Sequence, residues 1–231
     1  NLASGMVTTA TSDCGNAEWG TNQTHNQVID TTSGLLYRVG GNSEGTGPSH
    51  HGFVVCDLKH DPLNPTYVTK FGDNDRNFGS NVRTALLREA GIESRYIHDM
   101  TVRTIGTDTL LFAASPNSGN GARDEDSGVW IINVTDINDI RSVSFTSYPI
   151  TSYAHQLAID ERNEFLYLND ESDSNSATRN LPTNWRVFDI RDLSNVIYVG
   201  MFTNNAAVTN HNCEIANRLM FCANYQSGVL V

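Results

Sequence analysis

The chain has 231 residues, 18% of them charged and 39% hydrophobic, with a formal net charge of −11. With 26 acidic against 15 basic residues, no basic patch exists to neutralise phosphates, which argues against nucleic acid or an anionic membrane surface as partner. No apolar run approaches the roughly 18 residues of a membrane span, and Asn, Ser, Thr and Gly stand where charge is missing, the composition of a β-protein rich in turns.

Taken in chain order, the start (Asn1-Leu2-Ala3-Ser4-Gly5) has no basic region followed by an apolar stretch, so it reads as a mature or trimmed end. Residues 1–24 contain one candidate strand, at residues 6–10, which belongs to an N-terminal segment or to an adjoining blade. A repeat then begins. His25-Asn26, His98-Asp99, His155-Gln156 and His211-Asn212 each open a short strand that ends in an aliphatic residue. A turn and a second strand follow each of them, at residues 35–39, 110–114, 165–168 and 219–223. Third strands are expected at 52–57, 128–133, 184–189 and 228–231. Fourth strands are expected at 66–71, 142–145 and 197–202, after turns that begin at Asp61, Asp136 and Asp192.

Four short strands per unit of about 55 residues, with no helical pattern between them, define a blade. The fold class expected is therefore all-β, a β-propeller in one region spanning 1–231. Its blade units lie at about 25–72, 97–146, 154–203 and 210–231. The interval between the first two histidines is the longest, and it holds an insertion at about 73–96. The only helix-like piece, residues 82–90, lies inside that insertion and ends before Gly91. A β-sandwich would also contain alternating short strands, but it would not return His and an amide or carboxylate to the same point of every unit. The last unit ends within its third strand, so the sequence reads as a portion of a larger propeller, completed by further chain or by another segment.

The cysteines bear on compartment. If Asn217-Arg218 forms a two-residue hairpin turn, pairing outward puts Cys213 opposite Cys222 at a non-hydrogen-bonded position, the closer kind, which a disulfide can bridge. Two buried thiols are the alternative. Cys14 and Cys56 remain as the second pair. Two N-glycosylation sequons, at Asn22 and Asn133, fit the same secreted or cell-surface setting.

The segment Gly128-Val129-Trp130-Ile131-Ile132-Asn133-Val134-Thr135-Asp136 resembles the LVIVD repeat. The stretch from Ala154-His155-Gln156 to Leu168-Asn169-Asp170-Glu171, then Trp185-Arg186-Val187-Phe188-Asp189-Ile190, resembles the choice-of-anchor B family. So does His211-Asn212 with Ala223-Asn224-Tyr225-Gln226-Ser227-Gly228. The likeness spans about residues 20–231. It implies an extracellular or surface-anchored propeller with no established reaction, and it carries no catalytic residues over. Cys213 and Cys222 depart from the family pattern.

The sharpest constellation is His25, His98, His155 and His211. If each opens an innermost strand, four imidazoles approach the central channel from one face, where they either bind a transition metal or cap the blades through hydrogen bonds. Regular recurrence favours the capping role, because a fold-holding device must repeat while a metal site need not. Asn26, Asp99, Gln156 and Asn212 are read alike, as turn and ladder bonds or channel-lining groups. The loop carrying Asp170, Glu171, Asp173 and Asn175 offers hard oxygen ligands suited to calcium, as do 73–75 and 124–126, although none has EF-hand spacing. No nucleophile elbow, zincin motif or phosphate-binding glycine loop occurs. His50-His51 reads as part of a turn. Trp19, Trp130 and Trp185 have the shape to stack on a sugar, yet Trp in a blade strand usually packs between sheets. The leading expectation is a non-catalytic module that binds a protein or glycan partner or assembles with itself, needing no cofactor. The competing one is a metal-dependent, oxidase-like enzyme with a His-lined site in the channel.

Overall fold

The computed structural model describes residues 14, 24–40, 52–71, 96–116, 127–151, 153–174, 181–182, 184–203 and 208–231. The candidate strand at 6–10, the helix-like piece at 82–90, the acidic triplets 73–75 and 124–126, and residues Trp19, Asn22, His50, His51 and Asn175 lie outside them.

Four antiparallel meanders follow one another. The first is β1 (Asn26–Asp30), β2 (Leu35–Val39), β3 (Phe53–Asp57) and β4 (Thr66–Phe71); the second is β5 (Asp99–Ile105), β6 (Asp108–Ser115), β7 (Gly128–Asn133) and β8 (Arg141–Ser147). The third is β9 (Ala154–Ile159), β10 (Phe165–Asp170), β11 (Asn184–Asp189) and β12 (Ile197–Thr203). The fourth sheet has three strands, β13 (Cys213–Ala216), β14 (Leu219–Ala223) and β15 (Val229–Leu230). The helical content of the described residues is one 3₁₀ turn at Tyr225–Ser227. Strand order within each sheet equals chain order, and the innermost strands β1, β5, β9 and β13 are neighbours in that sequence around one axis. This is a β-propeller, with four blades in the described residues.

The turns explain why the units close at the same places. At the end of each third strand, an Asx side chain accepts the backbone N–H two residues on: Asp57 from Lys59, Asn133 from Thr135, Asp189 from Arg191. A second such turn follows at once, from Asp61 to Leu63, Asp136 to Asn138 and Asp192 to Ser194, at 2.9–3.0 Å. Asx side chains that mimic a backbone turn hold the reversal without glycine. The β3–β4, β7–β8 and β11–β12 registers then all slip by one residue at the equivalent point, Val55/Cys56, Ile131/Ile132 and Val187/Phe188. A bulge at a fixed place in each of these three blades adds the twist that the outer strands need.

The apolar cores lie between blades. Tyr37, Phe53, Phe71, Met100, Leu111 and Trp130 fill the space between the first two, and Phe112, Ile131, Leu157, Leu166 and Phe188 the space between the second and third. Trp130 and Trp185 are both buried. Trp130 donates its Nε1–H to Ser142, and Trp185 stacks on Phe202 and packs against the cysteine pair of the fourth sheet. That pair is a disulfide. Cys213 faces Cys222 with Cα atoms 4.1 Å apart, and Asn217 and Arg218 both have positive φ (52° and 66°), as a two-residue primed turn requires. Cys14 is bonded to Cys56.

A buried cation anchors the third blade. Arg186 on β11 is fully buried and donates to both carboxylate oxygens of Asp173 at 2.5 and 2.7 Å. Its guanidinium lies 5.0 Å from the Tyr148 ring centre, and the Tyr148 hydroxyl donates to Asp170 Oδ2 at 2.9 Å. Asp170 Oδ1 accepts the N–H groups of Tyr153 and Ser172. The loop after β10 is therefore tied both to its own blade and to the connection from β8 to β9. Removing one partner of such a pair leaves the other charge buried and unmatched. Arg186→Ala is expected to lower unfolding free energy by about 3–5 kcal/mol, read as a shifted urea midpoint with an unchanged slope.

Candidate functional site

The four repeat histidines stand side by side on one end of the innermost strands. Adjacent ring centres are 4.0 Å (His25–His98), 4.3 Å (His98–His155) and 4.5 Å (His155–His211) apart. Exposure is graded along the row: His98 and His155 are buried, His25 is exposed and His211 lies between. Gly40, at φ +69°, lets the chain pass His25, since a Cβ there would sit 2.2 Å from the His25 Cβ. Two tyrosines, each two residues before a buried histidine, back the row, with Tyr153 edge-on to His98 at 5.2 Å. The Tyr-x-His pairs Tyr96/His98 and Tyr153/His155 are a sequence signal that strand reading passes over.

These groups are bonded from blade to blade. His98 Nδ1–H donates to the His155 carbonyl at 3.0 Å, which leaves Nε2 as the unprotonated nitrogen of a neutral ring. One position on, the Gln156 amide acts as a short strand: Nε2 donates to the Cys213 carbonyl and Oε1 accepts the Cys213 N–H, both at 2.9 Å. Asn169 accepts the Gln156 N–H and donates to the His211 carbonyl. His155 differs from His98, because its Nδ1 is buried without a hydrogen-bond partner.

Further along the same strands lies a polar cavity of about 270 Å³ on the axis, lined among others by Gln27, Asp99, Thr101, Arg103 and Glu214. Burial, with a smaller push from Glu214, lifts the Asp99 carboxyl to about 6 against the pull of bonds from Met100 N–H and Asn26. Burial, followed by the charge of neighbouring imidazoles, drives both His98 and His155 down to about 3.

The acidic residues after β10 part company. Asp170 and Asp173 serve Tyr148, Tyr153, Ser172 and Arg186 as described, whereas Glu171 turns toward the histidine row. Its Oε2 is 3.4 Å from His155 Nε2 and its Oε1 is 3.9 Å from His211 Nε2. Tyr225 donates its hydroxyl to Glu171 Oε1 at 2.5 Å, and this bond raises the Tyr225 pKa to about 12. Among the described residues, His155, Glu171 and His211 are the group of three whose ligand atoms all lie within 4.8 Å of one another. Sequence reading placed Glu171 with the loop acids and not with the histidines. Asn133 ends β7 half-buried, with its Oδ1 accepting from Thr135. No helix among the described residues is long and apolar enough to cross a membrane, and the two disulfides belong with the chemistry of oxidising compartments.

The blades and their axial site define the chain as a β-propeller. No family model and no curated protein matches it. Among solved structures it is similar to the periplasmic gluconolactonase PpgL of Pseudomonas aeruginosa, over 87% of this chain and 53% of that one, with a TM-score of 0.54 and 12% identity. At that identity the likeness concerns the fold. The chain spans about half the length of that structure.

The neutral histidines make stability depend on pH. In the unfolded chain they take up protons near pH 6.5, and in the fold only near pH 3, so stability falls as pH drops through that window. Asp99, whose carboxyl protonates earlier in the fold than in the unfolded chain, acts in the opposite sense between about pH 6 and 4. The contribution of His98 is isolated by comparing the native chain with His98→Asn. From pH 7 to pH 5 the native chain should lose about 1–2 kcal/mol more than the variant in urea titrations. An identical loss in both would show that His98 titrates normally.

Proposed function

We propose that this chain is part of an extracytoplasmic propeller of the LVIVD-repeat, choice-of-anchor B kind, and that it acts as a binding or assembly module at the cell surface, with a protein or glycan partner and without catalysis. The observation that supports this reading is the division of labour along the innermost strands. Of the polar residues that open them, His98 and Gln156 are committed to blade-to-blade bonds. The residues beyond them line an axial cavity whose donors and acceptors, Gln27, Thr101, Arg103 and Glu214, suit hydroxyl-rich or peptide groups. The two disulfides support the extracytoplasmic setting, and glycan at Asn133 in material from a eukaryotic source would accord with it.

The similar structure is an enzyme named for gluconolactone, so the direct test sets binding against turnover. Purified protein should bind members of a glycan array or an extracellular protein panel, and Arg103→Ala and Glu214→Gln should each weaken that binding about tenfold. It should hydrolyse gluconolactone no faster than buffer does. Saturable hydrolysis above the buffer rate, lost in Glu171→Gln, would overturn the proposal.

A further inference from the structure

We propose that His155, Glu171 and His211 form a binding site for a divalent first-row transition ion of the zinc class, at the mouth of the channel between the third and fourth blades. The site lies outside the axial cavity, and its existence does not depend on the binding role proposed above.

Three observations carry it. The first is spacing. Ligand atoms held about 2.0–2.2 Å from one tetrahedral ion lie about 3.3–3.6 Å apart. His155 Nε2 and Glu171 Oε2 are 3.4 Å apart, His211 Nε2 and Glu171 Oε1 are 3.9 Å apart, and the whole group fits within 4.8 Å. Neither contact has the 2.7–3.2 Å of an N–H···O hydrogen bond. The two imidazoles approach different oxygens of the one carboxylate, and gathering one ligand atom from each residue onto an ion takes side-chain shifts of up to about an ångström.

The second observation is the state of His155. Its side chain is 2% exposed, its Nδ1 has no hydrogen-bond partner, and the Glu171 carboxylate lies 3.4 Å from its Nε2. A buried imidazole left so poorly satisfied is costly. Coordination at Nε2 supplies the missing interaction.

The third is a break in the repeat. Counted from the start of the second strand of each unit, Glu171 stands where the others have Gly41, Pro116 and Tyr225. The histidine is common to all four units, but the carboxylate occurs in one. A device for holding blades would recur, and this one does not. The Tyr225 hydroxyl, from the fourth unit's own copy of that position, bonds Glu171 Oε1 and orients it, the role an outer-shell partner plays at a metal centre. The Asn169 amide holds the His211 backbone in the same way. Two imidazoles and one carboxylate leave a further coordination position, and with Glu171 24% and His211 36% exposed it opens to solvent, for water or for an oxygen atom of a ligand.

The test uses the full chain, stripped with a chelator and titrated with Zn²⁺ by calorimetry and with Co²⁺ by visible absorption. One equivalent per chain is expected, with Co²⁺ giving the d–d bands of a low-coordinate site and Zn²⁺ raising Tm. Glu171→Gln and His211→Asn should each weaken Zn²⁺ binding about a hundredfold or more. Tyr225→Phe, which keeps every ligand, should weaken it about tenfold. His25→Asn, in the same row but outside the triad, should leave it unchanged. Because His211 is partly exposed, its variant tests the site even if Glu171→Gln folds poorly. Absence of stoichiometric binding, or binding that survives both ligand variants, or an equal loss in His25→Asn, would overturn the proposal.

Discussion

Directional hydrogen bonds from one blade to the next tie the innermost strands of this fold together. His98 reaches the His155 carbonyl, Gln156 pairs with both backbone groups of Cys213, and Asn169 reaches the His211 carbonyl. Each is a charge-neutral hydrogen bond in a place where an unmet donor or acceptor costs more than the bond itself contributes. The apolar cores join blades face to face, but they do not fix the angular register of the innermost strands. The axial polar tier does so, because each bond is directional.

The same constraint shapes the site. Two neutral imidazoles in contact tolerate burial, whereas two imidazolium ions would not, so the tier holds His98 and His155 uncharged over the whole neutral range. Neutral rings are what a metal or a hydrogen-bonding ligand meets. Glu171 approaches this row because the loop that carries it is pinned from below by the buried Arg186–Asp173 pair and the Asp170–Tyr148 bond. Two of the three loop carboxylates are spent on holding the third in place.

Much of the architecture was legible along the chain. β2, β4, β7, β11 and β14 occupy the residues that alternation and turn chemistry assign to them, since a two-residue side-chain period and an Asx turn are both written locally. The pairing of Cys213 with Cys222 followed from turn length alone, because a primed two-residue turn dictates every register position beyond it. β6 and β8 are three residues longer than expected and β10 two. Their ends are set by contacts with adjacent strands, which the local pattern does not record. Glu171 was visible as an acidic loop residue with oxygen ligands to offer, but its neighbours were not. His155 is 16 positions before it and His211 is 40 positions after, and no periodicity links them.

The sequence by itself determined the repeat unit, the all-β meander, the turns that begin at Asp61, Asp136 and Asp192 and one disulfide, because each depends on residues within a few positions of one another or on a period that recurs. The tertiary structure decided which carboxylate faces the histidines, which loop acid is consumed by Arg186, and which histidine is left short of a partner. Those outcomes depend on the direction of side chains from separate blades at one end of the axis. That direction follows from how the blades pack, and packing is a property of the assembled fold rather than of any segment within it.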